Sequence, residues 1–132
     1  MTENPISKVI VDAAIEVHRV LGGPGLIEDV YEEALEEELR LRGVQVGRQL
    51  PVRILYKGKV LHKPLRLDMR VENLVLVDNK AVIDWKPVFE AQMLTYLRLT
   101  WLKLGLVINF GERILNAGIR RVVNGLPEDI DL

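Results

Sequence analysis

The sequence predicts an α/β fold: a helix in two parts, then three strands, a further helix and another strand. Three observations predict it. Apolar residues recur at three- and four-residue spacing through the first forty positions, alternate with polar ones across much of residues 44–82, and dominate residues 102–110. The first pattern is that of an amphipathic helix, the second of a half-buried strand, the third of a strand buried on both faces.

Asn4 followed by Pro5 offers a side-chain acceptor for an N-cap and a proline for the first helical position. Ile6, Val9, Ile10, Ala13, Val17 and Val20 or Leu21 then form one buried stripe, ended by Gly22-Gly23-Pro24-Gly25. His18 lies beside that stripe, where a packed or surface histidine is expected rather than a ligand. The second part of the helix runs from Leu26 or Glu28 to Arg42 and stops at Gly43. Its inner face is expected to be Val30, Tyr31, Ala34, Leu35 and Leu39 or Leu41. Glu32, Glu33, Glu36, Glu37 and Glu38 read as its solvated side. Glu28 stands at the glycine-rich joint, where a carboxylate either is aimed into a site or complements a helix N-terminus.

Strands are expected over residues 44–56, 60–71 and 74–82, with a turn at Lys57-Gly58. Pro51 and Pro64 suit strand starts, edges or bulges. Asp84-Trp85-Lys86-Pro87 opens a helix running to Leu99 or Thr100, with Gln92 and Tyr96 one turn apart on one face. The strand over 102–110 ends at Gly111. A short strand over 118–123 follows, then a polar tail with Pro127, Glu128, Asp129 and Asp131.

The second and third strands carry the residues of chemical interest, Arg66-Leu67-Asp68 and Asp78-Asn79-Lys80. Alternation places Asp78 and Lys80 on one side of their strand and Leu67, Met69 and Val71 together on one side of theirs. An odd-length connection centred on Asn73 sets Asp68 opposite Asp78 and Arg66 opposite Lys80. A two-residue Glu72-Asn73 turn opposes Asp68 to Val77 instead. The sequence leaves both registers open. In the odd one the carboxylates lie about 5 Å apart at Cβ, a repulsive arrangement that a divalent cation relieves. Without it, Asp78 and Lys80 are an ordinary pair on a solvated face.

The length of 132 residues predicts one domain over 1–132, and 48% hydrophobic with 28% charged residues is ordinary for a soluble globular chain. The absence of cysteine excludes disulfides and thiolate metal sites. Met-Thr-Glu-Asn-Pro lacks a basic segment followed by an apolar one, and no apolar run approaches the ~20 residues of a membrane helix, so a cytoplasmic, non-membrane protein is expected. The net charge of −1 argues against indiscriminate coating of nucleic acid. Its distribution is uneven. Residues 1–39 carry an acidic excess of eight, and residues 40–86 hold eleven Lys or Arg against four acidic residues. That basic excess surrounds the Asp-Asp-Lys cluster and suits a phosphate-bearing ligand.

The element order with an acidic hairpin in its second and third strands resembles the PD-(D/E)xK nuclease fold, a mixed central sheet flanked by helices. More closely, the chain resembles the GxxExxY proteins of that superfamily. Gly25-Leu26-Ile27-Glu28-Asp29-Val30-Tyr31 matches the name-giving motif. The likeness continues through Tyr56-Lys57-Gly58, Arg66-Leu67-Asp68, Asp78-Asn79-Lys80-Ala81, the helix segment from Glu90 to Leu97, and Ile108-Asn109-Phe110. The resemblance implies a nuclease with Asp68, Asp78 and Glu28 as ligands of Mg²⁺ or Mn²⁺ and Lys80 as the catalytic lysine. Gln92 and Tyr96 resemble the helix motif that lines the site in RecB-type exonucleases. DNA or RNA is the implied partner; the oligomeric state, a homodimer included, stays open. Where the family has Glu-Leu-Lys this chain has Asp78-Asn79-Lys80. Aspartate reaches one methylene less far, and Asn79 puts an amide on a face that is normally apolar. The rival expectation is a catalytically degenerate nuclease fold that serves as a nucleic-acid-binding or protein-interaction module.

Overall fold

The computed structural model of the protein describes residues 2–126, so the polar tail from Pro127 lies outside the described residues. Helices α1 (Glu3–Val20) and α2 (Glu28–Leu41) precede strands β1 (Val46–Val52), β2 (Leu55–Tyr56), β3 (Lys59–Val60), β4 (Leu65–Val71) and β5 (Val75–Lys80). Helix α3 (Val88–Thr100), strand β6 (Leu104–Asn109), a 3-10 turn (Leu115–Gly118) and strand β7 (Ile119–Val123) follow. Five strands form one sheet in the order β1-β4-β5-β6-β7, antiparallel except between β5 and β6. The expected mixed sheet with helices on its faces is the one observed.

Each face has its own apolar layer. Ile6, Ile10 and Ala13 of α1 and Tyr31, Leu35 and Leu39 of α2 pack with Val75, Val77, Leu106 and Ile108 of the sheet. Met93 and Leu97 of α3 close the other face against Leu67, Leu76 and Val107. Burying each such side chain contributes roughly 2 kcal/mol. Strand β6 is buried along its whole length, as a parallel interior strand covered on both sides must be. No helix among the described residues is long and apolar enough to cross a membrane.

Four expectations change. Helix α1 begins at Glu3, so Asn4 lies inside its first turn; its Oδ1 accepts a hydrogen bond from Arg121 at 2.6 Å instead of capping. The long strands over 44–56 and 60–71 are interrupted. The chain leaves the sheet after Val52 and rejoins it at Leu65, and β2 and β3 pair only with each other around Lys57-Gly58. Pro51 sits on edge strand β1 and Pro64 just before β4, where a missing N–H costs least. The glutamate row of α2 is not wholly solvated: Glu32 is buried, because Arg48 and Gln49 of β1 donate to its Oε2 at 3.1 and 2.9 Å. Val30 and Leu41 are exposed, and the inner face is the i, i+4 line of Tyr31, Leu35 and Leu39 with Ala34 packed beside it.

The fourth change lies in β4. Met69 and Val71 pack with the α1–α2 layer, yet Leu67 packs with the α3 layer. Alternation therefore slips between Leu67 and Met69, at Asp68. Gln49, opposite this point on β1, takes a positive φ of 52° and makes no rung between Arg48↔Met69 and Leu50↔Leu67.

One polar group disturbs the α1–α2 layer. Asn79 is fully buried; its amide N–H₂ donates to Met69 Sδ at 3.1 Å, and its Oδ1 has no partner among the described residues. A buried acceptor without a donor costs on the order of 1–3 kcal/mol. Asn79→Leu removes it and keeps the backbone unchanged. Urea unfolding is expected to show the variant more stable by about 1 kcal/mol; a loss of stability would mean that the amide is satisfied after all.

Candidate functional site

The β4–β5 connection settles the register. Glu72 and Asn73 both take positive φ, 54° and 55°, and the Leu74 N–H donates to the Val71 carbonyl at 3.0 Å. Rungs form at Val71↔Val75, Arg70↔Leu76 and Met69↔Val77, the odd register centred on Asn73. The next step brings Asp68 against Asp78. The backbone ladder ends there, because the Asn79 N–H donates at 2.9 Å to Asp68 Oδ2 and is lost to a further rung. Arg66 does not come to face Lys80; it is exposed and donates to the Gln49 carbonyl at 3.1 Å.

Asp78 is buried, and Lys80 Nζ lies 3.4 Å from its Oδ2. Burial first, then the hydrogen bond and the charge of Asp78, push the Asp68 carboxyl up from 3.8 to about 7; the Asn79 N–H and Lys80 work the other way. Glu28, the first residue of α2, also has its pKa raised, by burial and then by the charge of Asp68, while Lys80 opposes the shift. On the α3 side the Tyr96 hydroxyl is raised by burial and then by Asp78. Glu28 from one layer and Tyr96 from the other thus both lie within electrostatic reach of the carboxylate pair. Gln92 shares the Tyr96 face but is exposed and makes no hydrogen bond to the pair or to Lys80 among the described residues.

Several residues that sequence reading passed over hold this arrangement. The Lys80 ammonium lies over the Phe89 ring, 4.6 Å from its centroid, and Trp85 meets Phe89 edge-on at 5.1 Å. Phe89 stands at helical spacing from Gln92 and Tyr96, so extending that face one turn back would have found it. Tyr31 stacks on Phe110 at 4.7 Å, donates its hydroxyl proton to the Gly23 carbonyl at 2.7 Å, and accepts from the Leu26 N–H. It pins the loop that delivers Glu28. No one-dimensional pattern announces that bond. His18 Nε2 lies 2.8 Å from the Glu112 carbonyl oxygen, a packed histidine as expected. Beyond Lys80, the Asn109 side chain bonds both the N–H and the carbonyl of Val82, each at 3.0 Å, and extends the β5–β6 pairing by side-chain means. Gly111 lies against the Val82 backbone so closely that a Cβ would collide with it.

Two carboxylates side by side are a hard-oxygen donor pair of the kind Mg²⁺ and Mn²⁺ take, so the residues present fit such an ion. Among the described residues no three acidic or histidine side chains converge as a ready ligand group, so the pair stands without a third ligand already in place.

The sheet thus carries two aspartates and a lysine together on its β4–β5 hairpin. The model of the PD-(D/E)XK nuclease superfamily matches residues 4–122, and the chain belongs to that superfamily. A solved structure titled "Crystal structure of SSO0001" superposes with a TM-score of 0.57 at 18% identity, over 77% of this chain and 52% of that one, which shows the shared fold. The chain spans about half the length of that protein. No curated protein matches.

The raised pKa of Asp68 has a consequence with a definite sign. Between its ordinary 3.8 and about 7 the folded protein holds a proton that the unfolded chain has released. The contribution of this group to stability therefore falls as pH rises through that window. Melting temperatures in chelator at pH 5.5 and pH 8 are expected to fall less in Asp68→Asn than in wild type. Parallel behaviour of the two proteins would show that Asp68 is not the titrating group.

Proposed function

We infer that the protein is a divalent-cation-dependent nuclease, a GxxExxY protein that hydrolyses phosphodiester bonds of DNA or RNA. The observation that carries this reading is the Asp68–Asp78 pair with Lys80 beside it, in a chain that belongs to a nuclease superfamily. Asp68 and Asp78 would hold Mg²⁺ or Mn²⁺, with Glu28 able to contribute from α2. Such an ion, when bound, polarises the scissile phosphate and lowers the pKa of an attacking water. Lys80, backed by Phe89 and Asp78, donates hydrogen bonds to that water or to the phosphate oxygen on which charge develops. Tyr96 presents its hydroxyl from α3, and Gln92, exposed beside it, is placed to meet substrate.

A second reading, a degenerate nuclease fold used for binding, draws on the buried Asn79 Oδ1, which has no hydrogen-bond partner among the described residues, one position from both Asp78 and Lys80. Calorimetry with Mn²⁺ separates the two, alongside cleavage of labelled single- and double-stranded substrates. Wild type is expected to bind the ion and to cleave. Asp68→Asn and Asp78→Asn each abolish ion binding and the rise in melting temperature it produces. Lys80→Ala keeps most of the ion affinity and loses hydrolysis by at least a hundredfold, within the ~10²–10³ range for removal of a charge-stabilising donor. Glu28→Gln falls between. A wild type that neither binds ion nor cleaves leaves the binding-module reading in its place.

Gln92 and Tyr96 carry their own expectation. Gln92→Ala lowers turnover with an unchanged melting temperature, since its side chain is exposed. Tyr96→Phe with full activity would reduce Tyr96 to a packing residue of the α3 layer, where its ring already sits.

A further inference from the structure

The β2–β3 hairpin belongs to neither layer of the core. Residues 55–64 are all exposed, including Leu55, Tyr56, Val60 and Leu61. Its position follows from the topology. Strand β4 runs antiparallel to β5, so the three residues from Asp68 back to Leu65 lead past the Lys80 end of β5, a path of roughly 10 Å. The hairpin therefore rises from the end of the sheet at which Asp68, Asp78 and Lys80 lie. Its charge is one-sided. Residues 49–67 contain Arg53, Lys57, Lys59, Lys63, Arg66 and His62, and neither aspartate nor glutamate. At its base opens a cleft of about 570 Å³ lined by Pro51, Arg53, Val60, Leu61, His62 and Pro64, an apolar wall with two cationic or hydrogen-bonding side chains. The Lys57 ammonium lies over the Tyr56 ring, 5.6 Å from its centroid, which sets an exposed aromatic and a cation side by side.

We propose that this hairpin and the cleft at its base bind a single-stranded stretch of nucleic acid beside the scissile phosphate. Lys57, Lys59 and Lys63 meet its phosphates, and unstacked bases rest on Tyr56 and in the apolar cleft. The chemistry is complementary on both counts. A cationic arm without carboxylates attracts the phosphate backbone through counterion release. Exposed aromatic and aliphatic side chains, costly to leave in water, give bases a surface to stack on only where those bases are unpaired. The inference rests on the nuclease reading for the location of the scissile phosphate, but binding to the arm is measurable without cleavage.

Fluorescence anisotropy in chelator tests it, with a short labelled single-stranded DNA, the same sequence as RNA, and the DNA duplex. Lys57→Ala/Lys59→Ala/Lys63→Ala is expected to weaken single-strand binding at least tenfold and to lower the salt slope by about 2, since each lost phosphate contact on a single strand removes ~0.7. Lys103→Glu, exposed at the opposite end of the sheet, leaves binding close to wild type. Tyr56→Ala weakens the single strand about tenfold and the duplex much less, and Tyr56→Phe binds as wild type. Every substituted side chain is exposed, so the fold is expected to survive, and melting temperature confirms that. Wild-type binding by the triple-lysine variant, or equal losses with Lys103→Glu, overturns the proposal. Equal losses on duplex and single strand with Tyr56→Ala overturn its base-stacking part. Cleavage that persists with hairpin-independent binding would sink this proposal and leave the nuclease reading standing; hairpin-dependent binding without ion uptake or cleavage would do the reverse.

Discussion

Two carboxyl groups held against each other in a half-buried pocket repel as soon as both ionise, and much of this molecule is arranged around that repulsion. Asp68 and Asp78 meet because the Glu72-Asn73-Leu74 connection has an odd length. Had the turn been one residue shorter, Asp68 would have faced Val77 and no pair would exist. The local compensations are electrostatic: a backbone N–H on Asp68, an ammonium on Asp78, and a proton retained on Asp68 up to about pH 7. These reduce the repulsion without removing it. A divalent cation held between the two carboxylates would relieve that repulsion more fully than a proton on Asp68 does.

The supports of this pair come from both layers of the fold, which links site geometry to core packing. From the α1–α2 side, Glu28 is carried by a helix whose inner line ends on the Tyr31–Phe110 stack, and the Tyr31 hydroxyl fastens the glycine-rich loop before it. Behind Glu28, one helical turn along, Glu32 is buried against Arg48 and Gln49. The two partners are not equivalent: Arg48 is partly exposed and also reaches Glu36, whereas loss of Arg48 leaves the buried Glu32 carboxylate with Gln49 alone, the costlier change. That pair also ties β1 to α2 at the level where Gln49 leaves the regular strand and β4 slips its alternation at Asp68. From the α3 side, Phe89 and Trp85 form an aromatic ledge under Lys80, and Arg120 of β7 lies over Trp85 at 5.2 Å.

The elements and their order along the chain were largely legible in the sequence, because they follow from periodicity, and the mixed sheet flanked by helices followed from the resemblance. The apolar stripe of α1, the run that became β6, and the Gly43 stop of α2 stand as read, while the inner face of α2 does so only in part. The carboxylate hairpin also stands, although two registers were compatible with its residues and only the turn conformation chose between them. What escaped the reading has a common cause. The burial of Glu32, the layer change at Leu67, the departure of the hairpin from the sheet and the Phe89 ledge all depend on partners distant in sequence. Periodicity records which face a residue prefers. It does not record that Arg48 will reach across to a glutamate on a helix, or that a strand will slip its pleat beside a carboxylate.

Asn79 joins these arguments. Its backbone N–H is what holds Asp68 in place, while its side chain puts an unsatisfied acceptor into the opposite layer. The two roles are separable, because any residue but proline supplies the N–H, and the unpaired acceptor belongs to the side chain alone. An aliphatic side chain there would serve the core better at no cost to the hydrogen bond on Asp68. The polar residue thus adds strain one position away from both Asp78 and Lys80, on the strand that carries them. Stability at this point of the sheet has been given up twice, once to the carboxylate pair and once to the amide behind it. The remaining rigidity comes from the clamp beyond Lys80, where Asn109 bonds Val82 on both sides and Gly111 lets the backbones touch. Strand β5 also stays paired with β6 through Lys80↔Asn109, and the Phe110 N–H donates to the Lys80 carbonyl at 2.8 Å, so Lys80 keeps its place beside Asp78 after pairing with β4 has ended at Met69↔Val77.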